Sequence, residues 1–312
     1  MRIILLAFLL VLTSGFGIAR AAAPYWDLVW SDEFEYTGKP DSTKWRIQVG
    51  PSTVNGEAEY YSDRPENLKV ENGNLYIIAR KESMGGKSYT SGRLDTETKA
   101  WWTYGRIEIK AKIPGGKGSW PAFWTLGHDC TAHGGWPDCG EIDIAEYAGK
   151  NPNYVNCTMH MKDINYKLKN NPHGGAALAD VSGTYHVYAL EWYADRLDIF
   201  YDSVKVLTFP NANKGAGSWP YFNPQYVILN EALGGGYGGP IDNAIFPTQW
   251  VIDYVRVFRA STVPTSIPVS PSRPQTQAEL GLETIHGFRF DLQGRQVVPK
   301  SVPFGTPYRL VR

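Results

Sequence analysis

Between Asp27 and Arg259 the chain alternates apolar and polar residues in short runs cut by Gly, Pro and Asn. In YGRIEIKAKI, Ile107, Ile109, Ala111 and Ile113 fall on one face, and Arg106, Glu108, Lys110 and Lys112 on the other. That period of two marks a strand with one buried face. LKVENGNLYIIAR, EIDIAEY, YHVYALEWY, RLDIFYDSVKVL, YVILNEA and WVIDYVRVF read the same way, with turn signals such as Asn72-Gly73 and Asp195-Arg196 between runs. No convincing amphipathic helix exceeds about two turns, and no internal repeat of roughly 20–50 residues suggests a propeller. The pattern predicts an all-β core of roughly 235 residues, folded as two stacked antiparallel sheets.

Composition adds rings to this picture. The 312 residues include 11 Trp, 19 Tyr and 32 Gly but only 4 Met, and 43% are hydrophobic, enough to bury a substantial core. Surplus rings suit sheet packing, and they also suit a sugar groove, because pyranose rings offer flat C–H faces to aromatic faces. All the Trp residues lie between Trp26 and Trp250, which sets the two chain ends apart. Residues 1–21 carry a basic start, an apolar run broken at Thr13-Ser14-Gly15 and the small-residue pattern Ala19-Arg20-Ala21, the marks of a secretory signal peptide. The apolar run is short for a bilayer span, and no later stretch approaches about 18 apolar residues. The mature chain is therefore expected to be exported, with no membrane span. Residues 22–261 form the core and 262–280 a Pro/Ser/Thr-rich linker. Residues 281–312 form a short tail that alternates around Leu292-Gln293-Gly294 like a small hairpin. Its FDLQGRQV and YRLVR resemble the C-terminal sorting tails of type IX secretion, though the tail is shorter than those usually are.

The whole chain balances 31 basic against 31 acidic residues. Two of the basic residues lie in the leader, and six basic and three acidic ones follow residue 261, leaving the core with 23 basic and 28 acidic residues and a net charge of −5. A mildly acidic core points away from nucleic acid and polyanionic sugars and toward a neutral polymer. Three cysteines and six scattered His, with no CxxC or HExxH, argue against zinc. Cys130 and Cys139 bracket a short Gly-rich loop and suit one disulfide that would leave Cys157 free, but spacing does not fix the pairing.

One segment differs in kind. GEIDIAEYAG carries Glu141, Asp143 and Glu146 in a strand-like run. Glu141 and Asp143 share a face by the period of two, and Glu146 should point the other way. A β-bulge near Ile144-Ala145 would bring it back, aligning three carboxylates. Glu141 and Glu146 would then lie about 13 Å apart at Cα, and their side chains could close to the roughly 5–5.5 Å of a retaining glycosidase pair. Such chemistry needs one ionised carboxylate to attack the anomeric carbon and one protonated carboxyl to release the leaving oxygen. Mutual repulsion between nearby acids provides both states from one strand. The plainer alternative is a solvated strand face or a cation site.

The flanks weigh against that alternative. WSDEF, NGEAEYY, TSGRLDT, YGRIEIKAKIP, GSWPAFWTLG with GGWPDCGEIDIAEYAG, YHVYALEWY, VILNEALGG and FPTQWVIDYVRVF occur in order from Trp30 to Phe258, and together they resemble the laminarinase-like branch of glycoside hydrolase family 16. The resemblance covers nearly all of the core and none of the tail. It implies a two-sheet β-jelly-roll sandwich of the concanavalin A-like lectin/glucanase type, with a groove on its concave face. It also implies Glu141 as nucleophile, Asp143 as assisting acid, Glu146 as acid/base, and no catalytic cofactor. The bulged ExDxxE spacing favours β-1,3 linkages. The branch also includes mixed-linkage, agarose and carrageenan hydrolases; some relatives are glucan-recognition proteins that lack the pair, and a transglycosylase on the same site is a further alternative.

In the groove, Trp120, Trp124 and Trp136 are the expected stacking platforms, and Asn55, Glu59, Arg93, His160 and Asn230 the expected hydroxyl partners. Either Trp120 or Trp124 could instead belong to the sandwich core, His160 could be a core histidine, and Arg93 could support a catalytic carboxylate. Matching positions for a structural calcium are Glu33, Gly73 and Asp253, the first two through backbone carbonyls, a donor set of oxygens that suits Ca²⁺. Ser203 stands where a turn Gly is usual, a matter for one hairpin only. The expected partner is a β-glucan bound by a monomer.

Overall fold

The alternation becomes paired strands in the computed structural model, which describes residues 24–261 and the strand segments 283–285, 288–290 and 296–297. The leader, the linker and the rest of the tail lie outside the described residues. An eight-stranded sheet runs in the order β16 (Val204–Pro210), β15 (Arg196–Tyr201), β14 (His186–Trp192), β9 (Gly105–Lys112), β18 (Thr248–Ser261), β6 (Asn74–Ala79) and β5 (Leu68–Glu71), with β1 (Tyr25–Asp32) also paired to β18. A seven-stranded sheet runs β13 (His173–Ala177), β12 (Tyr154–His160), β11 (Glu141–Tyr147), β10 (Ser119–Gly127), β17 (Gln225–Leu233), β8 (Arg93–Asp95) and β2 (Arg46–Ile47). A small third sheet joins β3 (Gly50–Pro51), β4 (Glu59–Tyr61) and β7 (Tyr89–Ser91). All pairings in the two large sheets are antiparallel, the two-layered jelly-roll sandwich expected.

Local chemistry starts the hairpins. Asn72 (φ 53) and Gly73 (φ 70) turn β5 into β6, and two successive positive φ values favour this Asn-Gly pair. Inward residues of both sheets meet in one cluster, with Ile107, Ile109, Tyr188, Leu190, Val255 and Val257 from one and Phe123, Ile142, Ile144, Val227 and Leu229 from the other. Trp192 is fully buried there and donates its indole N–H to the Tyr221 carbonyl at 2.9 Å. On the polar face of β9, Glu108 is nonetheless buried, because Arg106 (2.8 Å) and the Tyr254 hydroxyl (3.1 Å) cover and satisfy it.

Cys130 and Cys139 form a disulfide, and Cys157 is free and buried. Among the described residues no helix is long and apolar enough to cross a membrane. The chain divides into two compact units, Met1–Thr265 and Ser266–Arg312. In the second, β19 (Glu283–Ile285) pairs with β20 (Phe288–Phe290), and β20 pairs antiparallel with β21 (Gln296–Val297) on either side of Leu292-Gln293-Gly294.

Candidate active site

The site is built on β11. Its register to β10 runs Glu141–Leu126, Ile142–Thr125 and Asp143–Trp124, then shifts so that Ala145 faces Phe123 and Glu146 faces Ala122. Against β12, Asp143 faces Thr158 and Glu146 faces Asn156, so Ile144 and Ala145 together oppose a single residue. This is the bulge anticipated from the sequence. Ile142, Ile144, Ala145 and Tyr147 go to the core while Glu141, Asp143 and Glu146 share the outer face. The buried Tyr201 hydroxyl, reaching across from the other sheet, donates to the Ile144 carbonyl at 3.2 Å and satisfies a backbone acceptor at the bulge. Tyr221 braces the start of β11, its hydroxyl within 3.1 Å of the Glu141 carbonyl and 3.2 Å of the His160 carbonyl.

Each outer carboxylate has its own partner. The Trp136 indole N–H donates to Glu141 Oε2 at 2.7 Å, and the Trp120 indole N–H to Glu146 Oε1 at 2.8 Å. His160 Nε2 lies 3.3 Å from Asp143 Oδ2. Its Nδ1 accepts the Tyr166 backbone N–H at 3.3 Å, which leaves Nε2 to carry the proton toward Asp143. Ligand atoms of Glu141, Asp143 and His160 all lie within 4.8 Å of one another. Burial pushes all three carboxyls well above the usual carboxylate range. The neighbouring Asp143 charge raises Glu141 and Glu146 further, while the Trp N–H donors pull those two back. Acids this close cannot all ionise near neutral pH, so a proton stays in the cluster. Removing one donor has a defined sign. In Trp136→Phe the Glu141 carboxylate loses a bond to its charged form, so its pKa should rise. The acidic limb of the kcat/KM profile should then move up by about 0.5–1 pH unit. An unmoved limb would show that Trp136 does not tune Glu141.

A cleft of about 450 Å³ lies over this face, lined by Asn55, Arg93, Trp120, Trp124, Trp136, Asn230 and the three acids. Trp120 and Trp124 share a face, as their spacing requires, because β10 runs against β17 without a shift. Trp124 donates its indole N–H to Asn230 Oδ1 at 2.8 Å, and the Arg93 guanidinium packs 5.1 Å from its ring. Arg93 thus supports an aromatic wall, and no salt bridge joins it to a catalytic carboxylate. Trp136 is partly covered, with Lys167 Nζ 4.6 Å from its ring centroid and Tyr166 at 5.6 Å.

Two expected sugar partners sit elsewhere. Glu59 is completely buried off the cleft, with Oε2 accepting the Leu233 N–H at 2.8 Å, and it cannot meet a sugar hydroxyl. Glu57, two residues earlier, lines the cleft instead, held by Ser52 (2.6 Å), Asn55 (3.1 Å) and Tyr61 (3.3 Å). Both acids have the same parity in NGEAEYY, so alternation does not separate them. The Asn55-Gly56 turn, with φ 53 and 73, leaves Glu57 at the loop and starts β4 at Glu59. His160 is not among the residues that line the cleft, and its Nε2 faces Asp143. Tyr166 and Lys167 also line the cleft, and no strand or motif signal in the sequence marks them.

Beneath the cleft, Glu59 and Glu231 are both fully buried, and each has one oxygen, Oε1 and Oε2 respectively, without a hydrogen-bond partner. Burial raises both pKa values, and the Glu59 charge raises Glu231 further. Folded pKa values above the unfolded 4.5 mean that folding favours the protonated acids. Their contribution is whole below that pH and is lost as pH rises through the folded values. Glu231→Gln should therefore raise Tm at pH 9 by several degrees, with the gap closing by pH 5, where each kcal/mol corresponds to about 2–4 °C. A melt difference independent of pH would contradict this.

The positions matched to calcium converge by register. Ile252 pairs with Leu75 beside the turn holding Gly73, and Asp32, next to Glu33, pairs with Val255. Asp253 falls in a bulge of β18 between the pairs Ile252–Ala111 and Tyr254–Lys110, which frees its backbone from that ladder. The oxygen donors fit Ca²⁺ by type. The Asp253 carboxylate pairs with Lys110 at 2.7 Å and that of Glu33 with Arg256 at 2.8 Å, so a cation would share its one charged ligand with Lys110.

An antiparallel sandwich carrying two indole-held glutamates across a bulge, at the bottom of an aromatic cleft, defines a carbohydrate-cleaving enzyme of the two-carboxylate type. Residues 55–256 match the model of glycosyl hydrolases family 16, and the chain belongs to that family. It is 44% identical over 248 residues to a beta-glucanase of Rhodothermus marinus, covering 76% of this chain and 86% of that protein. The solved laminarinase of the same organism superposes with a TM-score of 0.74 over 77% of this chain and all of that one, at 44% identity. A non-specific endo-beta-1,3(4)-glucanase of the family superposes at 0.72 with 42% identity, over 77% of this chain and 94% of that one.

Proposed function

We propose that the protein is an exported, monomeric, retaining endo-glucanase that cuts β-1,3 and mixed β-1,3-1,4 glucans. The observation that carries the chemistry is the bulged β11, which sets Glu141 and Glu146 on one face of the cleft with a Trp donor on each. In the first step ionised Glu141 attacks the anomeric carbon while protonated Glu146 gives its proton to the leaving oxygen. In the second, Glu146 takes a proton from water, whose oxygen displaces Glu141 and restores the starting configuration. Asp143, held by His160, hydrogen-bonds Glu141 and keeps the cluster's shared proton near the nucleophile between turnovers. The glucan assignment rests on the named activities of the similar proteins. Export rests on the leader, and the tail is consistent with type IX delivery.

Reducing-sugar release from laminarin, mixed-linkage glucan and agarose tests the substrate. Cleavage of the two glucans to a mixture of oligosaccharides is expected, and agarose alone being cut would overturn it. We also propose a structural calcium at Glu33, Gly73 and Asp253. Chelator should then lower Tm and added Ca²⁺ should restore it, whereas an unchanged midpoint rejects the site.

A further inference from the structure

The cleft floor on β10 is a row of alternate residues, Trp120, Ala122, Trp124 and Leu126. The unbroken register of β10 against β17 puts His128 next in that row, one step past the strand end. There the loop before β9 lays Trp101 on His128, with ring centroids 3.9 Å apart and planes within 7°. The imidazole covers one face of the indole, and Trp101 remains 47% exposed. His128 Nδ1 is buried and makes no hydrogen bond, so the ring acts as a shelf. The backbone holds both rings in place. The His128 N–H donates to the Pro224 carbonyl at 2.8 Å, and Trp102 exchanges two hydrogen bonds with Gln225 at 3.0 and 2.8 Å. Trp102 itself packs edge-on against Trp30 and the core. Of two adjacent Trp residues, one therefore anchors the loop and the other is left bare on a rigid support.

We propose that Trp101, shelved on His128, is a further sugar-binding platform that takes a pyranose ring of the β-glucan beyond the end of the cleft; this rests on the glucanase reading above. An indole face free on one side fits the flat C–H face of a pyranose. A ring already immobilised by stacking loses little freedom when it binds. His128 lies about 13 Å past Trp124 at the rise of a strand. This is the end where Leu126 pairs with Glu141 and Trp136 holds the nucleophile, so the platform extends the nucleophile end of the cleft. Only a substrate several sugars long reaches both.

Chain length is accordingly the readout. Trp101→Ala should lower kcat/KM on laminarin, and binding to insoluble β-1,3-glucan, by roughly three- to tenfold, the scale of one aromatic contact. Hydrolysis of laminaritriose should be unchanged, and Trp101→Phe should retain most of the polymer activity. Equal losses on polymer and trisaccharide would mean a structural role, and no loss on either would mean no platform; each overturns the proposal. Failure of the wild-type enzyme to cut either β-1,3 substrate would instead overturn the glucanase reading.

Discussion

Replacing Glu141 by Gln is expected to lower kcat on laminarin by at least about 10³-fold, with binding largely kept. The amide matches the carboxylate in shape and still accepts the Trp136 N–H, so the cleft should keep its form. What it lacks is the charge that attacks the anomeric carbon. A smaller variant, Glu141→Gly, separates this role from a structural one. Azide entering the vacated space should attack the activated glycoside and yield the glycosyl azide of inverted configuration. Substantial hydrolysis by Glu141→Gln, or no azide product from Glu141→Gly on an activated aryl glycoside, would sink the nucleophile assignment.

Glu146→Gln should lose about 10²–10⁴-fold on glucan, because a sugar leaving group needs its proton. Cleavage of an aryl glycoside with a good leaving group does not, so its first step should be far less affected. The second step still lacks a base to activate water, and added azide, which needs none, should restore turnover with retained configuration. Equal losses on glucan and aryl glycoside would argue against the acid role. The wild-type kcat/KM profile should be bell-shaped. Its basic limb should lie well above the ordinary carboxylate range, since burial and the Asp143 charge hold the proton on Glu146. In Glu146→Gln that limb should flatten.

Alternation made the strands legible, because a strand with one buried face must place apolar residues at every second position. The departure from alternation at Ile144-Ala145 was legible too. Glu141, Asp143 and Glu146 share the cleft face only if one residue is added. The cleft was less so. Glu57 and Glu59 are equivalent in a period-two pattern, and a turn at Asn55-Gly56 decided which of them faces the cleft. His160 matched a sugar partner by position, yet the Tyr166 N–H and the Asp143 carboxylate claim its two nitrogens. Tyr166 and Lys167 belong to a single 3-10 turn, Tyr166–Leu168, inside the loop after β12, and Asn165 caps it by accepting the backbone N–H groups of Lys167 and Leu168. Such loops carry no periodic signal, so nothing in the chain announced that they reach the cleft.

The rings posed the hardest question. By itself the sequence determined that this is an all-β chain with Glu141 and Asp143 on one strand face, since both follow from the period of the strand. The return of Glu146 to that face took a bulge that only the register shows. Nor could the sequence sort the Trp residues. Tertiary structure put Trp192 and Trp250 in the core, Trp120 and Trp136 on the two glutamates, Trp124 on Asn230, and left Trp101 bare on His128. The reason is physical. Burial and partner choice depend on which distant segments pack above a residue, and an indole suits a hydrophobic core, a carboxylate and a sugar face equally well until those neighbours are in place.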